Sequence, residues 1–177
     1  MIYLLVSITL FTGVSIWTVQ QVGAMKHRTI SQHVAKSLTT QIVFGIVGVI
    51  ASLLASVSIF SWILPHHQAD LISHTLFGIV TLFFFAAAII PYIKGTWRGS
   101  IHNIAAWGMC FVIPVVMFSA LLWQLNTPTR VIETILFITT CVLLILLATK
   151  KSLRAHFLAL QSLYLGIFFV FLVILAY

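Results

Sequence analysis

The sequence is short of charge, and shortest of acids. Only 6% of its 177 residues are charged, and just two, Asp70 and Glu133, are acidic. Soluble domains carry roughly a quarter charged residues. A chain this apolar cannot clothe itself for water, so its solvent is lipid. Two acids also leave little for chemistry that needs a metal-bound water and a carboxylate base. Cysteine is scarce as well: Cys110 and Cys141 stand inside apolar runs, and neither belongs to a CxxC pair. There is no HExxH, no Ser–His–Asp order, no phosphate-cradling glycine loop and no nucleotide motif. The N-terminus lacks a basic n-region and a cleavage site, so the first run is expected to be a retained helix.

What is present is hydrophobic: 62% of the residues, with a mean hydropathy of +1.18. A helix needs about 20 apolar residues to cross the hydrocarbon core. Six runs qualify, near 2–20, 40–63, 71–93, 103–123, 131–149 and 157–176. They are continuous rather than alternating, which excludes a barrel, and an open strand in lipid would leave its donors unpaired. The expected fold is an all-α bundle of six transmembrane helices in one domain, lying across a multi-pass cell membrane.

The net charge of +7 does not describe a nucleic-acid binder, because the basic residues occupy short connections and form no soluble face. Lys26, Arg28 and Lys36 lie in the first connection, Lys94 and Arg98 in the third, and Lys150, Lys151 and Arg154 in the fifth. Only Arg130 lies elsewhere. The positive-inside rule makes the side of the eight cytoplasmic and places both termini outside. Trp62 and Trp123 at outer ends and Trp97 at an inner one agree with an aromatic belt.

Short connections make successive helices antiparallel neighbours. The longest, 21–39, repeats Ile30, Val34 and Leu38 every fourth residue, so it is either a short surface helix or a solvated basic loop. Gly48, Ser52 and Ser56 stand four apart and allow a close helix approach. Pro114 cannot donate to the Cys110 carbonyl, which predicts a kink or a local opening.

Ionisable groups at membrane depth are functional candidates by default. Around Pro65 the sequence supplies His66, His67, Asp70 and His74. If a helix starts at Pro65, then His67, Asp70 and His74 fall at i, i+3 and i+7 on one face. Imidazole and carboxylate there suit zinc or iron, and Glu133 at the same depth could join them. The plainer reading is a set of interfacial polar residues, with Glu133 paired to Arg130 three residues before it. His102 and His156 open the fourth and sixth helices at one depth, as a haem b between helices requires. Against that, histidines at helix ends are commonly interfacial. His27 and His33 share the basic loop. Cys110 and Cys141 are at similar depth and could pair or remain small core residues. Gln161, Ser162 and Tyr164 make a polar spot in the last helix.

These histidine-bearing helices resemble two families. Residues 60–125, with Pro65 ahead of a helix bearing His74 and with a helix opening His102-Asn103, look similar to small six-helix membrane proteins of the Frag/DRAM type and their bacterial relatives. That resemblance implies a membrane fold and little about activity. A resemblance to b561-type cytochromes, which carry two haems on four central helices, is broken by the second and fifth helices, which have no internal histidine.

The leading expectation is a histidine-rich, non-enzymatic membrane protein: a small transporter, or a subunit packed on membrane partners or on copies of itself. Its polar site would be His66, His67, Asp70, His74 and Glu133. The alternatives are a haem b electron carrier using His102 and His156, and a metal-dependent hydrolase using His67, Asp70 and His74.

Overall fold

The computed structural model describes the backbone of residues 1–177 and the side chains of all but Lys151 and Arg154. Seven helices form: α1 (Ile2–Val22), α2 (Ile30–Val34), α3 (Leu38–His66), α4 (Leu71–Ile89), α5 (Trp97–Leu121), α6 (Thr127–Thr149) and α7 (Phe157–Ala176). All but α2 are long and apolar enough to cross a membrane, so the chain is an integral, multi-pass membrane protein. Each crossing helix packs on the next, and α7 returns to α1, so the ring closes.

Local chemistry sets the helix ends. Thr29 with Gln32 and Ser37 with Thr40 form capping boxes at the starts of α2 and α3. Asp70, Thr96 and Asn126 each accept a backbone N–H three residues on, opening α4, α5 and α6. The 21–39 connection therefore holds a real helix. It is tucked beneath the bundle, with Ile30, His33 and Val34 buried.

Several boundaries differ from the sequence expectation by a few residues, and two of the differences bear on the site. No helix starts at Pro65. α3 runs on through it to His66 by way of a π turn over Ile59–Ile63, where the Leu64 N–H reaches back to Ile59. Pro65 has no N–H to give, and the ladder widens just before it. The chain then closes a Schellman-type cap, Ala69 N–H to the Leu64 carbonyl and Gln68 N–H to the Pro65 carbonyl. Gln68 sits at the left-handed position of that cap, with φ 50°. His67, Asp70 and His74 thus straddle a helix end, a turn and a new helix, and do not share one helical face. α5 begins at Trp97, earlier than expected, which carries His102 more than a turn inside the helix.

The core is aromatic. Tyr164, Phe168, Phe171 and Leu175 form a buried stripe along α7. Phe11 of α1 meets Phe44, Phe84 and Phe169 edge-on at 5.4–5.8 Å, joining α1, α3, α4 and α7. The small residues act as expected on α3. A Cβ on Gly48 would lie 3.0 Å from that of Ala88 on α4, and the Ser7 hydroxyl of α1 donates to the Ala51 carbonyl at 2.7 Å.

Candidate functional site

Polar residues concentrate at the two ends of the bundle. At the end expected to face outward, Trp123 is the hub. Its indole N–H donates to the Ser73 hydroxyl (3.1 Å), and its carbonyl accepts from the Arg130 guanidinium (3.1 Å). The His67 ring stacks on it at 5.1 Å. Ser73 N–H in turn donates to the Asp70 carboxylate at 2.8 Å. The Ser73 hydroxyl and N–H beside it hold the exposed Asp70 carboxyl below the ordinary aspartate value.

The same end fastens α7. A helix leaves its last carbonyls without donors. The His67 Nε2–H donates to Leu175 (2.8 Å), and the Trp62 indole donates to Ala176 (3.1 Å). His66 stacks on Trp62 at 5.8 Å. The His74 Nδ1–H donates to the carbonyl of Asp70, one turn back (2.9 Å). So the expected ligands His67, Asp70 and His74 each hold a backbone group. Among the described residues, no three His, Cys, Asp or Glu side chains converge to hold a metal. Seven histidines in 177 residues are also few, and histidine-rich is not a fair description.

Glu133 is the exception at this end. It is fully buried, one turn and a half into α6 (0% exposed), and neither carboxylate oxygen has a hydrogen-bond partner among the described residues. The expected ion pair with Arg130 does not form. Arg130 is exposed and turned to the Trp123 carbonyl. A surface guanidinium that followed Glu133 inward would lose its own hydration, which a single buried pair does not reliably repay.

At the opposite end lies a cavity of about 460 Å³. Its walls come from α2 and the segment before it (His27, Thr29, Ser31, Gln32), from α5 (His102, Asn103, Trp107) and from α7 (Phe157, Gln161, Tyr164). Two backbone bonds fix the floor to the bundle: Ile30 N–H to the Gln161 side-chain oxygen (2.9 Å) and Leu158 N–H to the Lys26 carbonyl (3.2 Å). His33 is buried with both nitrogens used. Nδ1–H donates to Thr29, and Nε2 accepts from Met25 N–H. The loop histidine is thus a structural pin, not a solvated side chain.

His102 is also buried, and only half used. Nδ1–H donates to the Ile90 carbonyl at 2.6 Å, while Nε2 has no partner among the described residues. A carbonyl can only accept, so Nδ1 carries a proton, and Nε2 of a neutral ring is a lone-pair acceptor. His156, expected beside it, is exposed and does not line the cavity. Cys110 and Cys141 are free thiols. The polar spot on α7 resolves into Gln161 on α2, Tyr164 on the Cys110 carbonyl, and an exposed Ser162. Sequence reasoning missed the cavity altogether, since its walls are assembled from five separate segments.

The chain matches no family model, no curated protein and no solved structure.

Proposed function

We propose that the protein is a non-enzymatic, transporter-like membrane protein in which Glu133 is the proton- or cation-binding carboxylate. The observation that carries this reading is a carboxylate with no exposure and, among the described residues, no partner. Ionised and alone at such a place, it would cost several kcal/mol or more. It therefore rests protonated. It takes on charge only when a cation replaces the proton, which is the exchange that a coupled carrier needs.

The helix that bears it supports the same reading. Glu133, Thr140 and Leu147 are buried at seven-residue steps, on one face of α6. Leu147 lines the inner cavity. One helix face thus runs from the carboxylate to the cavity wall, about 21 Å at the usual rise per residue. Asp70, His66, His67 and His74 serve as the frame of the outer end in this reading and carry no charge through it.

The test is proton movement in sealed vesicles containing the purified protein and a trapped pH dye. An imposed sodium or potassium gradient is expected to drive proton flux, and Glu133→Gln to lower it at least tenfold. Thr134→Ala, on a neighbouring position of the same helix, is expected to leave it unchanged. Equal flux in wild type and Glu133→Gln would remove Glu133 from this role. A wild type without flux that purifies with a stoichiometric membrane partner would instead make the chain a complex subunit.

A further inference from the structure

The inner cavity lies at the far end of α6 from the carboxylate, and it is itself built like a binding site. We propose that it binds a membrane-soluble hydroxyl compound, an apolar body with an uncharged head whose O–H donates to Nε2 of His102. The shared chemistry covers an alkyl phenol or hydroquinone and a lipid alcohol.

The first argument is the acceptor. His102 is 4% exposed, it lines the cavity, and its Nδ1 is committed to Ile90. Nε2 is the polar atom it has left. A buried acceptor left without a donor forfeits its hydration and gains nothing in return. The backbone around it is arranged to keep it there. A Cβ on Gly99 would collide with the Ile93 carbonyl, so only glycine lets the first turn of α5 lie against the α4–α5 connection that supplies Ile90. An imidazole held through one nitrogen and unpartnered at the other is an oriented acceptor, and an occupant that reaches it must bring the proton.

The second argument is charge. No Asp, Glu, Lys or Arg lines the cavity among the described residues, and His27 is its one other ionisable basic group. An anionic or cationic head would be desolvated there without a counter-charge. An O–H head is not penalised in that way. Asn103, Gln161, Ser31 and Thr29 offer further uncharged partners to it.

The third argument is the apolar half and the way in. Tyr92, Trp107, Phe157, Met109 and Leu165 supply flat and flexible apolar walls. Trp107 is 38% exposed on the lipid-facing side of α5, so the same wall borders both the cavity and the bilayer. A tail can remain in lipid while the head passes the Tyr92 ring, which stands edge-on to His102 at 5.9 Å. A solute from water would have no use for such a wall.

The test is thermal unfolding of the detergent-purified full chain with three probes: a decyl-substituted hydroquinone under reducing conditions, monodecanoyl glycerol, and decyl phosphate. At least one of the two hydroxyl probes is expected to raise the midpoint by several degrees, and which one does so separates the aromatic source from the lipid alcohol. His102→Phe keeps a ring and removes the acceptor, and it is expected to abolish that shift. If His102→Phe does not fold, Trp107→Ala is the second variant, expected to weaken the shift at least threefold by removing part of the wall. Stabilisation by decyl phosphate alone, an undiminished shift in the folded His102→Phe chain, an undiminished shift in Trp107→Ala, or no shift with either hydroxyl probe overturns the proposal. Glu133→Gln is expected to bind the probes normally, so this site and the carboxylate stand or fall separately.

Discussion

Pro114 removes one donor from α5, and a side chain 50 residues further on replaces it. The carbonyl that Pro114 cannot serve belongs to Cys110, and the buried phenol of Tyr164 donates to it across the α5–α7 contact. In lipid that carbonyl has no water to turn to. The missing bond was plain from the sequence, because a proline four residues on always leaves the same carbonyl free. Its new donor was not, because only the packing of α7 against α5 selects Tyr164 from the hydroxyls available. The pair makes a clean double-mutant cycle. Tyr164→Phe is expected to destabilise the bundle by about 1–2 kcal/mol, the upper range for hydrogen bonds between membrane helices. In a Pro114→Ala background residue 114 can donate to Cys110 again, and Tyr164→Phe is expected to cost less than half as much. Reversible unfolding in mixed micelles would measure both steps. Equal costs in the two backgrounds would mean that the phenol acts through packing alone.

At the scale of the element, a hydrophobic run announces a crossing, while the ends of that crossing depend on single residues. α7 ended up with its start where expected because its run follows the polar stretch 150–156. The outer end of α3 did not. Pro65 reads equally well as the first turn of a new helix or as the last of an old one, and the π turn before it decides for the latter. That one decision dispersed the His67, Asp70 and His74 set. α5 shows the reverse case, in which a glycine permits an element to start early. Its first turn rests on the Ile93 carbonyl at Gly99, and this brings His102 inside the helix. Gly99→Ala forces that backbone apart and is expected to cost about 1–3 kcal/mol, as overpacked sites do. Gly13→Ala, on α1 with open space where its Cβ would go, is expected to cost nothing and to gain a little from helix propensity. Comparing the two unfolding midpoints separates a close backbone approach from glycine content as such.

For the whole molecule, charge and polarity divide between the ends in opposite senses. The end that gathers α2 and the odd-numbered connections carries eight of nine basic residues and neither acid, yet among the described residues no Asp, Glu, Lys or Arg lines its cavity. The other end carries both acids, and one of them is buried without a partner among the described residues. The positive-inside rule predicts that the basic charge keeps the first end on the cytoplasmic side. If so, Glu133 opens toward the outside and the cavity toward the inside, and each site meets its own supply of ligand. Cysteine labelling tests this directly. In a chain with Cys110 and Cys141 replaced by alanine, Asn126→Cys is expected to react with a membrane-impermeant maleimide on intact cells, and Lys150→Cys only after the membrane is opened. The reverse pattern would invert the bundle. The carboxylate would then draw its protons from the cytoplasm, and the hydroxyl site would face the outer leaflet, where the basic residues around it would have no anionic lipid surface to hold.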